Sequence, residues 1–382
     1  MFEFRTVPEV VVGASVSLQL PQLIRARFDV SKVAIITDAA LRSTHLLDPI
    51  FDAFKDAGIE LYVFDGVVAD PPEAVVKNAI NRARDAAVDV VIGIGGGSSM
   101  DAAKLVAAFA ASDQDLAHAY GIDKVTGPRL PLVQVPTTAG TGSEVTPIAI
   151  VTTGETTKLG VVSNRLYADL AVLDPTLTLG LPAMVSAATG IDAMVHAIEA
   201  YTSKIKKNPI SDGLAREALR LLSGSLAQVC SDGHDITARS NMLIGAMLAG
   251  QAFANAPVGA VHALAYPIGG IFHVPHGLSN ALMLSPVMRF NLPAAASLYA
   301  ELAQVVMPQV AGSEEAKATA FIEFLGKLAD QVGIARRLVQ VGIQPADVPM
   351  LAENALLQQR LLINNPREVT FGDALRLYSE AL

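Results

Sequence analysis

One cysteine, Cys230, occurs in 382 residues, so an intramolecular disulfide framework is excluded and a reducing, cytoplasmic setting is the expectation. Positive charge is also scarce. Against 37 acidic residues there are 28 Lys and Arg, which leaves a formal net charge of −9 and no basic block. Nucleic-acid surfaces need such a block, so small molecules are the expected partners. Long apolar runs are missing as well, although hydrophobic residues make up 51% and the mean hydropathy is +0.41. The most apolar stretch, 242–272, is interrupted by Gln251, Asn255, Pro257, His262 and Pro267, and a membrane helix needs about 20 uninterrupted apolar residues. The opening MFEFRTVPEVVVG has neither the basic nor the apolar region of a signal peptide. No membrane association is therefore expected, and no fixed-period repeat stands out.

What is present divides at about residue 180. The first half alternates β-branched runs with helical segments: VAIITD (33–38), LYVFDGV (61–67), a helix over 72–87, VDVVIGIGG (88–96) and a helix over 100–110. PLVQVPTT (131–138) and DLAVLDP (169–175) read as strands, and 149–163 as a hairpin around Gly154. Such alternation predicts a Rossmann-like parallel sheet covered by helices. Beyond Pro182 helical periodicity dominates, near 183–202, 208–229, 237–255, 279–290, 315–331 and 367–381. The expected division is an α/β domain, 1–181, and an all-α domain, 182–382.

Asp192 and His196 stand four residues apart in AATGIDAMVHAIEAYTS, on one helix face. Two further histidines, His262 and His276, follow in apolar sequence. On one straight helix the roughly 14 residues between them would span about 21 Å, so sharing an ion requires the chain to reverse. Pro267, Gly269, Gly270 and Pro275 are expected to break the segment and allow it. Three imidazoles and a carboxylate suit a divalent transition metal that keeps a position open. The plainer reading is that these are hydrogen-bonded core residues, since a buried polar group must find some partner.

In VVIGIGGGSSMDAAK the glycines 93, 95, 96 and 97 fall at a strand-to-helix junction, which reads either as a cradle of backbone amides for pyrophosphate or as a turn that only packs a helix against a strand. As a dinucleotide fingerprint the spacing is imperfect, with Ser98 in place of the third glycine. Asp38 closes VAIITD. Its carboxylate reads either as an acceptor for ribose hydroxyls, favouring NAD over NADP, or as a helix N-cap. PTTAGTGSE (136–144) offers Thr137, Thr138, Thr141 and Ser143 to a nucleotide, or is a polar loop. Lys158 is either a cation near the ribose or a solvated hairpin lysine.

The stretches GIGGGSSMDAAK, PTTAGTGSEVT, GIDAMVHAIEAYTS, VGAVHALAYPIGG and HVPHGLSNAL, in this order, are similar to the iron-containing (group III) alcohol dehydrogenases. The resemblance spans essentially the whole chain. It implies the dehydroquinate synthase-like fold of that family, an N-terminal dinucleotide-binding domain and a helical C-terminal domain, with NAD(P) and a divalent metal, commonly Fe²⁺ and alternatively Zn²⁺. It further implies Asp192, His196, His262 and His276 as metal ligands. Asp38, Gly95, Gly96, Gly97, Ser98, Thr137, Thr138, Thr141 and Lys158 match nucleotide-contact positions, and Asp101 and Ser143 are placed with them. Homodimers or larger assemblies are the family habit. Many members carry a further histidine where this chain has Tyr266, so Tyr266 and His273 are the candidates for moving the proton.

The expected activity is reversible hydride transfer between NAD(H) and a small alcohol or carbonyl compound. A hydroxyacid–oxoacid transhydrogenase that retains its nucleotide is the nearest alternative. A dehydroquinate-synthase-like lyase would need a basic pocket, and the apolar character of Ala149, Ile150, Phe253 and Leu264 argues against it.

Overall fold

The computed structural model describes residues 1–154 and 157–382. Its residues form two compact units, one of Thr6–Thr138 with Ser143–Leu179, the other of Gly180–Leu382 with Met1–Arg5 and Ala139–Gly142. The second crossing of the chain, at 139–142, is invisible to a single cut at 181/182.

Among the described residues the first unit contains nine strands: β1 Val10–Val12, β2 Lys32–Asp38, β3 Glu60–Val67, β4 Val90–Gly95, β5 Gly121–Ile122, β6 Leu132–Pro136, β7 Ile148–Thr153, β8 Thr157–Val162 and β9 Leu170–Leu173. Its helices are α1 Leu20–Arg25, α2 Ala39–Ser43, α3 Asp48–Asp56, α4 Glu73–Asp85 and α5 Gly97–Ala110. Six strands form an all-parallel sheet in the order β1-β9-β6-β4-β2-β3. Every residue of β4, β6 and β9 is buried, which is why these strands read as unbroken apolar runs: both faces of a parallel sheet are covered. Ile35, Ile92, Val133 and Leu170 share a core with Ile24 of α1 and Phe54 of α3. In the expected hairpin, β7 pairs antiparallel with β8 in register Thr153↔Thr157, and β5 adds to β8; Glu155 and Thr156 lie outside the described residues.

The second unit is helical: α6 Ala183–Thr202, α7 Pro209–Ser231, α8 Ile236–Asn255, α9 Ala260–Phe272, α10 His276–Val306, α11 Glu314–Gln331, α12 Val348–Leu356, α13 Gln359–Leu362 and α14 Phe371–Ala381. Local chemistry sets several starts. Asn208 caps α7 ahead of Pro209, and Asp235, Ser313 and Thr370 cap α8, α11 and α14 through their side-chain oxygens. Helix α6 packs against α7, α8 and α10, so it is buried on nearly every side from Gly190 to Thr202.

Two expectations need correction here. Pro267, Gly269 and Gly270 do not break the chain; all three lie inside α9. The reversal is made just afterwards, by His273 in the left-handed conformation (φ 56°) and the extended Pro275 that precedes α10. Helix α10 itself runs well past the expected 279–290 and takes in Pro286 and Pro293. Among the described residues no single helix is long and apolar enough to cross a membrane; α8 and α9 reach that composition only as a pair bent by 107°.

Candidate metal centre and nucleotide loop

Helix α6 presents Asp192, His196 and Glu199 at intervals of four and three residues, a single face of one helix. Helix α9 contributes His262 from its first turn, and α10 contributes its first residue, His276. One ligand atom from each of Asp192, His196, His262 and His276 lies within 4.8 Å of all the others. Asp192 Oδ1 is 4.0 Å from His196 Nε2, 4.0 Å from His262 Nε2 and 3.7 Å from His276 Nε2. The approach of α10 to α6 depends on Gly277, because a β-carbon there would strike the Ala188 carbonyl and stand 3.3 Å from Asp192 Cβ.

Three of the four are buried, whereas the His276 side chain is 37% exposed. Burial drives the His196 imidazole down to about 3, only partly opposed by Asp192, so its ring is neutral and keeps a lone pair. Burial alone would raise Asp192; the imidazoles of His196, His276 and His262, with Asn280, hold it below the usual carboxylate range instead. Phe253 stacks on His196 with ring centroids 4.4 Å apart, and His196 stacks on His262 at 4.8 Å.

The donor set fits a cation. Asn280 Nδ2 stands 2.6 Å from Asp192 Oδ1, 3.1 Å from His262 Nε2 and 3.3 Å from His276 Nε2. Three imidazoles and one carboxylate, each with a ligand atom within 4.8 Å of the others, are the donor types that a divalent transition metal takes.

On the other unit, β4 ends at Gly95 with φ 151°, where a β-carbon would meet the Ser99 side chain at 2.7 Å. Helix α5 starts two residues later, and no side chain caps it; the first amides of a helix have no acceptor within it, and a helix start of this kind suits an anion. Thr137 N–H bonds Gly95 O at 2.9 Å, and the Thr138 side chain lies 3.7 Å from the position a Gly96 β-carbon would take. Asp38 is the N-cap of α2, its Oδ1 accepting from Leu41 N–H at 2.8 Å, while its Oδ2 lies 3.6 Å from the position a Gly95 β-carbon would take.

Both halves of the chain match models of one family, "Iron-containing alcohol dehydrogenase" over residues 8–175 and "Fe-containing alcohol dehydrogenase family, C-terminal" over 186–382. The chain belongs to the iron-containing alcohol dehydrogenases. It is 40% identical over 362 residues to long-chain-alcohol dehydrogenase 1 of Geobacillus thermodenitrificans, covering 93% of this chain and 90% of that one. Against the NAD-dependent methanol dehydrogenase of Bacillus methanolicus the identity is 32% over 384 residues, with all of both chains covered. The crystal structure of a 1,3-propanediol oxidoreductase superposes with a TM-score of 0.96 at 34% identity, again covering 100% of both chains.

Within this member of the family, the remaining expected residues fall in different places. Tyr266 sits beside the ligands, its ring centroid 6.0 Å from that of His276; His273 is exposed at the end of α9. Ser98 Oγ accepts from Asp70 N–H at 3.2 Å, and Lys158 pairs with Asp70 Oδ1 at 2.8 Å. Asp101 is engaged internally: Oδ1 accepts from Ser143 Oγ at 2.6 Å and Oδ2 from Ile150 N–H at 2.9 Å. The buried Lys104 Nζ closes this network, donating to Ser143 Oγ at 2.7 Å and Ile148 O at 2.6 Å. Thr141 belongs to the short segment grouped with the helices.

The sequence reading missed Glu199 and Asn280. Glu199 accepts from Val261 N–H at 2.7 Å and bonds His262 Nδ1 at 2.6 Å. Both residues were open to the same periodicity that paired Asp192 with His196, since Glu199 follows His196 by three residues and Asn280 follows His276 by four.

Proposed function

We propose that the chain interconverts a small alcohol and its aldehyde or ketone with NAD(H), using a divalent metal held by Asp192, His196, His262 and His276. The observation that carries this reading is the convergence of four ligand atoms within 4.8 Å in a largely buried setting. When bound, the ion supplies Lewis-acid polarisation of the substrate oxygen, and the nicotinamide supplies the hydride acceptor.

The chain's own residues do the rest. Phe253, stacked on His196, and the buried surroundings of α6 and α9 exclude water from one side of the ligand set. His276, the most exposed ligand, marks the side from which substrate enters. Tyr266, beside His276, is the better placed of the two candidates to take up or give a proton at its phenolic oxygen; His273 is turned to solvent. The amides of Gly96, Gly97 and Ser98 at the start of α5 receive the pyrophosphate, and Asp38 Oδ2 receives the ribose hydroxyls, a charge that disfavours a 2′-phosphate. Lys158 reaches the nucleotide once it leaves Asp70. Asp101 and Ser143 support the same loop from within.

The relatives named above act on methanol, a propanediol and long-chain alcohols, so the shared framework leaves chain length open. An apolar pocket separates substrates differing by one methylene by only about 1–3 kcal/mol. A homo-oligomer in a reducing cytoplasm, which would keep ferrous ion reduced, completes the proposal; sedimentation of the pure protein measures its size. The deciding experiment is anaerobic purification with metal analysis, then NAD⁺ and NADP⁺ reduction over primary alcohols, diols and hydroxyacids. His262→Ala is expected to lose the metal and all turnover while still binding NADH. Full turnover by that metal-free variant would refute the reading.

A further inference from the structure

We infer that Glu199 is a positioning residue that fixes the tautomer of His262 and thereby makes its Nε2 a metal ligand, an inference that rests on the four-residue metal site proposed above. Its carboxylate faces two donors at once. Oε1 accepts from Val261 N–H at 2.7 Å, and Oε2 lies 2.6 Å from His262 Nδ1. Val261 is in the first turn of α9, where amides have no partner inside the helix and the N-cap residue, Gly259, offers no side chain. Asn365 Oδ1 takes the neighbouring amide, Ala260 N–H, at 3.4 Å. One buried carboxylate thus caps the helix and holds the ring that the helix carries.

The consequence for the ring follows from counting protons. A carboxylate oxygen accepts, so Nδ1 carries the hydrogen and Nε2 keeps its lone pair. That lone pair faces Asp192 Oδ1 and accepts from Asn280 Nδ2 at 3.1 Å. Glu199 lines a small cavity with Asn291, Tyr299, Asn364 and Asn365, and the Asn291 and Asn365 amides bond each other reciprocally at 2.9 and 2.8 Å.

Glutamine at 199 has the same shape with one acceptor and one donor. The two bonds can no longer both be accepted. Val261 N–H cannot reverse its direction, whereas an imidazole can move its proton to the other nitrogen. Glu199→Gln is therefore expected to give its oxygen to Val261 and its amide to His262 Nδ1, shifting the ring hydrogen to Nε2. The ligand residue stays in place and its ligating lone pair is gone.

The test uses the full chain, freed of metal, with nitrogen-15-labelled histidine under mildly alkaline conditions; a His262→Asn spectrum assigns the resonances. Wild type should show a protonated Nδ1 at His262, and Glu199→Gln a protonated Nε2. Zn²⁺ titration against a competing chelator should show affinity lower by about 10- to 100-fold in the variant, with metal-free thermal unfolding close to wild type. A variant that keeps the wild-type tautomer and Zn²⁺ affinity overturns the inference. So does a wild-type His262 with an unprotonated Nδ1, a result that needs no variant to fold. If wild type shows the expected tautomer yet binds no Zn²⁺, the positioning role stands and the metal reading alone falls.

Discussion

Glu144 carries a buried acid that the proposed chemistry does not use. It lies in a 3-10 turn at Ser143–Val145, and burial pushes its carboxyl up to about 7, opposed by its own backbone amide and by Lys104. The folded-state value lies above the unfolded one, so the sign is unfavourable. Below pH about 4.5 the group is protonated in both states and costs nothing. As pH rises toward 7 the unfolded chain releases the proton first, and stability falls by about 3 kcal/mol before levelling off. Glu144→Gln should remove that fall. Urea titrations of both proteins across this range would show parallel curves if Glu144 titrated normally. Lys104 is the charged group that acts on it, and the bonds from Lys104 and Asp101 to Ser143 do not involve the substituted side chain.

At the scale of elements, the metal ligands depend on how closely two helices meet. Helix α10 begins at His276 and immediately crosses α6 at Gly277, over the Ala188 carbonyl. Gly277→Ala puts a methyl group into that contact. Because backbone on α6 cannot yield as a flexible side chain would, the expected cost is about 1–3 kcal/mol of stability, with His276 drawn away from Asp192 and metal affinity reduced. Thermal unfolding and metal analysis together check this; unchanged values in both would mean the helix ends adjust freely. Only His273–Pro275 separate α9 from α10, and each helix carries one of the proposed ligands in its first turn.

For the molecule as a whole, the four proposed ligands come from three helices, α6, α9 and α10. An ion bound there adds to the stability of the folded state by linkage, about 2.7 kcal/mol when its free concentration is 100-fold above Kd. Chelation should therefore lower the unfolding temperature of wild type and leave His262→Ala unmoved. Calorimetry with and without chelator decides it, and an equal response from both proteins would place the stabilising ion elsewhere.

Sequence alone determined what is periodic or locally encoded. The parallel strands stood out because both of their faces are buried, α6 because its pattern repeats every turn, and the caps because Asn208, Asp235 and Ser313 act within a few residues. The Asp192–His196 pair and the glycine turn before α5 belong to the same class. Tertiary structure decided whatever depends on distant groups meeting. Local propensity would stop a helix at Pro267, yet burial among its neighbours carries α9 through it. Only the folded chain shows that residues 139–142 join the helical unit, that Asp101 is spent on Ser143 and Ile150, and that Glu199 reaches His262 from 63 positions away. Spacing along one helix is fixed by its rise per residue; the hydrogen bond that orients a ligand is fixed by packing between helices, which no local pattern contains.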